Sequence, residues 1–287
     1  MTLTVPAYAK INLFLDVVGK RDNGYHDIVS VMQSVSLCDT LTVSRTEGVD
    51  ITVRGGGLPN DETNLIVRAA RAYFAHSAAP FGVSVVLDKQ IPMAAGLGGG
   101  SADAAAMLKA LNALDGNRFT VAELAAIGAG IGADVPFCVQ GGTCLCMGVG
   151  EVITPLKIAA RTPLVIAIAG EGVSTPAAFA MLDQRYGDYV NYADTVSPAG
   201  LINAMQKSDI SATVSALFNR FEEVVAPQRP AVSQIKELLV KHGALAAQMS
   251  GSGPAVFGIF SDAEVAARAA VSLTAVDVRA YACEMLV

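Results

Sequence analysis

The stretch Pro92-Met93-Ala94-Ala95-Gly96-Leu97-Gly98-Gly99-Gly100-Ser101-Ala102 restricts the fold more than any other part of the chain. It follows an apolar alternation, Val83, Val85 and Leu87, with the two-residue period of a strand, and it leads into an Ala/Leu-rich segment, Ala104 to Leu114, of good helix propensity. The local order is strand, glycine loop, helix. Gly96, Gly98, Gly99 and Gly100 let the backbone take positive φ and let a ligand approach peptide N–H groups that no side chain shields. Ser101 falls at the helix start, where unpaired donors and the positive end of the macrodipole seat an anion, a nucleotide triphosphate above all. A flexible turn capped by Ser101 is the plainer alternative.

Two common phosphate motifs do not fit these residues. A Walker A loop needs a lysine before its serine, and Gly100 precedes Ser101 here; a dinucleotide fingerprint needs a third Gly or Ala, and that frame falls on Ser101.

The 287 residues suffice for one large or two ordinary domains with real cores, and 52% apolar against 16% charged residues argues against disorder. Apolar runs such as Pro163 to Ala169 are far shorter than the roughly 20 residues of a membrane span, and Met1 to Lys10 lacks the pattern of a signal peptide. The expected protein is cytoplasmic, with no membrane partner. A net charge of −6 with no Lys/Arg cluster argues against a nucleic-acid partner, so any polyphosphate must be held by local donors. Five cysteines without a Cys-x-x-Cys pair read as reduced thiols, and Cys144-x-Cys146 as two small residues on one strand face rather than a metal site; no metal-ligating cluster is legible.

Along the chain, Leu3 to Ala9 and Ile11 to Val18 read as a strand pair or one bent strand, with Lys10 and Asn12 opposite the apolar face. A strand lysine taken alone is usually solvated. Lys20 to His26 is a turn by its Asp-Asn-Gly content, and Ile28 to Ser36, Thr40 to Arg45 and Val49 to Val53 read as strands, the first two separated at Cys38-Asp39. Asn64 to His76 reads as a helix; Thr120 and Glu123 form a capping box that opens another. Pro136 predicts that Val135 leaves the helical region, with Asp134 at the junction. A boundary is expected near Lys157 to Pro163, then a strand from Leu164 to Ala169 and a helix with Thr175 as cap and Pro176 in its first turn. Helices are expected over Pro198 to Lys207, Leu217 to Val225, Ala231 to His242 and Asp262 to Thr274, with strands over Ala255 to Phe260 and Val278 to Leu286.

Five segments carry a resemblance. Pro92-x-x-x-Gly96-Leu97-Gly98-Gly99-Gly100-Ser101 resembles the phosphate loop of the GHMP small-molecule kinases. Pro6-Ala7-Tyr8-Ala9-Lys10-Ile11-Asn12-Leu13 is similar to their first motif with Tyr8 inserted, Gly132-Ala133-Asp134-Val135-Pro136 to their catalytic aspartate motif, and Ser250-Gly251-Ser252-Gly253-Pro254 to their third motif. Gly24-Tyr25-His26 looks like a signature of the branch whose acceptor carries a cytidine diphosphate.

The resemblance implies an α+β fold of two domains, 1–160 with mixed αβ structure and the glycine loop, and 161–287 ferredoxin-like, as a monomer or homodimer. It implies ATP with Mg²⁺ as phosphoryl donor, held by Pro92 to Ala102, and Lys10 and Asp134 as catalytic residues. Asn12, Tyr25, His26, Thr175 and Phe179 are implied to bind the acceptor, with Tyr25 and Phe179 stacking on its cytosine. Departures are Ala94-Ala95, where the family often has two glycines, and Ala102, where it often has a second serine. A homoserine- or mevalonate-type kinase would have no base to stack, and a non-catalytic nucleotide-binding module would lack the lysine or the aspartate.

Overall fold

A computed structural model of the chain describes residues 1–77, 80–158, 161–168, 170, 173–187 and 196–287. By internal packing the chain divides into two units, one of Met1–Ala9, Leu37–Met93 and Gly98–Gly141, the other of Lys10–Ser36, Ala94–Leu97 and Gly142–Val287. They interleave because two long strands, β1 (Thr2–Lys20) and β2 (His26–Thr46), run through both. β1 is the single strand that its uninterrupted alternation permits. β2 is also single, whereas the sequence suggests a break at Cys38-Asp39. The polar Asp39 is accommodated inside the strand because its carboxylate is fully buried against donors from another segment.

In the first unit β3 (Ile51–Gly55) lies parallel to β4 (Gly82–Asp88), and β4 pairs antiparallel with the end of β2, Thr40 opposite Asp88 and Thr46 opposite Gly82. The parallel pair is joined by α1 (Leu65–His76), whose buried face carries Ile66, Val67, Ala69, Ala70 and Tyr73, and whose Asn64 cap accepts from the Ile66 N–H. α2 (Gly99–Leu114) buries nearly its whole length, which its alanines make possible by allowing close approach from several sides. α3 (Val121–Ala129) opens with the expected capping box, Thr120 and Glu123 each satisfying the other's backbone N–H. α4 (Val135–Gln140) corrects the expectation of an extended exit at Val135: Pro136 stands in the first turn, where its missing N–H costs nothing, and the chain re-enters a helix.

In the second unit the start of β2 pairs with β5 (Thr143–Gly148), and β5 with β6 (Val152–Leu156). Cys144 and Cys146 are both buried on one face of β5, as their spacing predicts. A four-stranded antiparallel sheet follows, from β7 (Pro163–Ile168), β9 (Ala246–Met249), β10 (Ala255–Ile259) and β11 (Ala280–Glu284) in the order β11-β7-β10-β9. With α9 (Pro230–Lys241) before β9 and α10 (Ala263–Thr274) before β11, this is the ferredoxin-like arrangement. Leu164 to Ala167 are all buried because the sheet is covered on both faces, and so they read as a continuous apolar run; Ala169, the expected end of that strand, and Gly172 lie outside the described residues.

α5 (Thr175–Tyr186) is capped by Ser174, whose side chain accepts from the Ala177 N–H; Thr175, the expected cap, is already helical. α6 (Ala199–Gln206) falls where expected and is followed by α7 (Ile210–Ser215). The helix expected over Leu217 to Val225 is instead the short strand β8 (Phe218–Asn219), parallel to β1 at Phe14, and one turn α8 (Glu222–Val225). Asn219 diverts the backbone: its side chain caps the Phe221 N–H and donates to two carbonyls of a distant loop.

Candidate active site

Three motifs far apart in sequence meet within the second unit. The Lys10 N–H donates to Leu97 O at 3.0 Å, and the Ala255 N–H donates to Ala95 O at 3.0 Å, so the first half of the glycine loop lies between β1 and the third motif. Gly96 has φ +79° and a side-chain carbon on it would stand 2.2 Å from the Ser250 carbonyl oxygen, so only glycine fits. The Ser250 hydroxyl donates to Gly96 O at 3.0 Å and accepts from the Asn12 N–H at 3.3 Å.

Lys10 and Asn12 occupy the polar face of β1, yet they are 5% and 1% exposed. Lys10 Nζ donates to Asn12 Oδ1 at 2.8 Å, and Asn12 Nδ2 donates to Ser30 Oγ at 2.9 Å, which in turn donates to Phe14 O. The chain of bonds fixes which end of the Asn12 amide faces the ammonium. Ser30 and Asn219, which gives two bonds to Met249 O and Gly251 O, are supporting residues that the sequence does not reveal, because their partners are fixed by packing rather than spacing.

The second half of the glycine loop belongs to the first unit. Gly98, in the left-handed region at φ +66°, is the N-cap of α2, so Ser101 is not the cap but the third helical residue. The first helical bond runs from the Ala102 N–H to Gly98 O, and the N–H groups of Gly99, Gly100 and Ser101 precede it, at the positive end of the helix. Ser101 Oγ lies 3.9 Å from where a side-chain carbon on Gly132 would stand, so the start of α2 and the turn before Asp134 are neighbours. Asp134 is the N-cap residue of α4 by position, but its side chain makes no capping bond. Pro92 to Leu97 contribute turn rather than helix, and Met93 is largely exposed.

Behind the start of α2 lies a cluster the sequence does not announce. Asp39 accepts from the backbone N–H groups of Gln90 and Ile91 at 2.5 and 2.7 Å and from Lys89 Nζ. Lys89 also donates to Asp103 Oδ2 at 2.9 Å, and its ammonium stands 3.0 Å from the side-chain position of Gly99. Asp103 Oδ1 is buried with no hydrogen-bond partner among the described residues. Burial pushes the Asp103 carboxyl up to about 7, Lys89 opposing and Asp39 assisting the rise.

In the second unit again, Arg21 and Tyr25 close the turn between β1 and β2, placing His26 at the start of β2. The partner that packing gives to Phe179 is His26, ring centroids 4.4 Å apart and 12° from parallel; Phe221 meets Phe179 edge-on at 5.0 Å. Tyr25, the residue before β2, is 63% exposed. Thr175 Oγ1 lies 3.2 Å from Ser252 Oγ, which ties the start of α5 to the third motif.

Residues 64–142 match the family of GHMP kinases N-terminal domains and residues 201–277 the GHMP kinases C-terminal domains. The chain is 42% identical over 262 residues to a 4-diphosphocytidyl-2-C-methyl-D-erythritol kinase of Gloeobacter violaceus, covering 91% of this chain and 86% of the relative. It is 43% identical over 272 residues to the enzyme of that name from Moorella thermoacetica, covering 94% of each. A crystal structure of 4-(cytidine 5'-diphospho)-2C-methyl-D-erythritol kinase superposes with a TM-score of 0.83 at 32% identity over 99% of both chains. A homoserine kinase from Cytophaga hutchinsonii, at 20% identity and a TM-score of 0.76, shares the fold.

Proposed function

The chain belongs to the GHMP kinases, and from that membership we propose that it transfers the γ-phosphoryl group of ATP to the 2-hydroxyl of 4-diphosphocytidyl-2-C-methyl-D-erythritol, a step of non-mevalonate isoprenoid precursor synthesis. The observation that carries the reading is the meeting of the Lys10–Asn12, Ala94–Leu97 and Ser250–Pro254 motifs in one hydrogen-bonded cluster, continuous in sequence with the N–H groups that open α2.

Phosphoryl transfer needs a cradle for the triphosphate, neutralisation of its charge and a group that takes the acceptor proton. The Gly96 to Ala102 backbone is the cradle. Asp134 takes the proton from the acceptor hydroxyl as the oxygen bonds to the γ-phosphorus and the bond to the β-phosphate oxygen breaks, releasing ADP. Lys10, oriented by Asn12, offsets charge on the transferring oxygens. Among the described residues no group of three or more His, Cys, Asp or Glu side chains is arranged to hold a metal ion. Magnesium therefore fits this chain as a companion of the nucleotide, with Ser101 the oxygen donor the helix start offers; when bound it neutralises the β- and γ-phosphates. Tyr25, His26, Thr175 and Phe179 hold the cytidine end of the acceptor.

The division into sequence domains 1–160 and 161–287 is part of the same reading, supported by one family match in each. No helix among the described residues is long and apolar enough to cross a membrane. The reading keeps the cytoplasmic location, the monomer or homodimer and the lack of a nucleic-acid partner expected from composition and charge. The test is coupled ADP release with magnesium-ATP and the diphosphocytidyl sugar alcohol, against homoserine and mevalonate. Turnover of either control at a comparable kcat/KM would overturn the assignment.

A further inference from the structure

The edge of the His26 ring is held by a carboxylate to which neither its sequence neighbourhood nor any motif draws attention. His26 Nε2 lies 2.7 Å from Asp183 Oδ1, and the other carboxylate oxygen, Oδ2, accepts from Lys20 Nζ at 2.7 Å. Phe179 and Asp183 are four residues apart on α5 and so share one face of it, Phe179 lying flat against the imidazole while Asp183 takes its edge. Lys20 closes β1 and His26 opens β2, so one helix face clamps both ends of a tight turn. The ring is thereby fixed in plane and in rotation.

We propose that Asp183 is the positioning residue for acceptor recognition, setting the tautomer and orientation of His26 through a hydrogen bond donated by its Nε2. A carboxylate has only acceptors to offer, so Nε2 carries a hydrogen, and in the neutral ring the lone pair then belongs to Nδ1. The ionised state of Asp183 is consistent: burial would raise its pKa, but hydrogen bonds from Lys20 and His26 bring it below the ordinary carboxylate value. Lys20 has a part in this. An ammonium has no lone pair, so whatever stands at position 183 must turn an acceptor toward Lys20.

That condition makes Asp183→Asn informative. Its amide oxygen is claimed by Lys20, its NH2 faces Nε2, and Nε2 must then accept, which moves the ring hydrogen to Nδ1. The variant preserves shape and reverses the tautomer. Asp183→Ala instead releases the ring edge altogether.

The substrate side of the inference rests on the proposed function, and the experiment separates the two. Imidazole ¹⁵N spectra of the ligand-free protein, recorded where the ring is neutral, are expected to show hydrogen on Nε2 in the wild type and on Nδ1 in Asp183→Asn. Wild-type hydrogen on Nδ1 alone would overturn the proposal. In kinetics, both variants are expected to raise KM for the diphosphocytidyl acceptor about 10-fold or more, as loss of a charge-assisted hydrogen bond implies, with kcat and KM for ATP within about twofold. An unchanged acceptor KM, or equal losses for both substrates, would also overturn it. If the wild type does not phosphorylate this acceptor, the proposed function fails and the spectra alone decide the role of Asp183.

Discussion

Replacing Asp103 by asparagine should make the stability of this protein less dependent on pH, and the sign follows from the cluster behind α2. The folded carboxyl titrates at about 7, burial being the main cause, against roughly 3.9 in an unfolded chain. Between those values the folded state holds a proton that the unfolded state has released. Stability is therefore fully present at low pH and is lost as pH rises through the folded value. For a single group with these two values the loss between about pH 5 and about pH 8 comes to roughly 2 to 3 kcal/mol. For 287 residues the unfolding entropy is about 0.6 kcal/mol/K, so the loss corresponds to about 4 °C in Tm. An asparagine side chain cannot ionise, and it keeps an oxygen for Lys89. Its amide nitrogen takes the place of the unpartnered Oδ1 and adds a cost of about 1 to 3 kcal/mol that does not vary with pH. The quantity to measure is therefore the difference in Tm between variant and wild type at the two pH values, by thermal unfolding of ligand-free protein. The variant should gain about 4 °C on the wild type on going from about pH 5 to about pH 8. A Tm difference that is the same at both would refute the reasoning.

Asp134→Asn should lower kcat by about 10²- to 10⁴-fold with ATP still bound, measured by ADP release and nucleotide titration; an unaltered kcat would remove Asp134 from the proton transfer. Gly96→Ala places a side-chain carbon 2.2 Å from Ser250 O at positive φ, so it should lower stability by at least about 1 to 3 kcal/mol in denaturant titration, and unchanged stability would contradict the packing of the two loops. Phe179→Ala should raise KM for the diphosphocytidyl acceptor by the roughly 1 to 3 kcal/mol of one stacked base and leave KM for ATP alone; equal effects on both would count against the stacking role.

Short-range signals in this chain were legible because both partners lie within a few residues. The capping box of Thr120 and Glu123 and the helix after the glycine loop are settled by backbone donors at fixed offsets, and α1, α9 and α10 by apolar periodicity. The motifs were legible for a related reason: each needs a particular backbone shape, and glycine or proline records it. Two expectations failed because a partner distant in sequence decided. Asp39 looks like a strand break, but donors from residues 89–91 let it remain inside β2; Leu217 to Val225 looks helical, but Asn219 pairs with the third motif and bends the chain.

The kinase family, the two-domain α+β fold, the glycine loop and most of the helices can be read from the residues alone, because these depend on local backbone geometry and on which faces are apolar. Tertiary structure alone decided how the chain interleaves into two packing units, that Lys10 is buried and held by Asn12, that Phe179 lies on His26, and that Asp183 and Asp103 have unusual surroundings. The reason is physical. Polar side chains buried on folding must find partners wherever packing brings them, and no spacing in the sequence fixes which ones those will be.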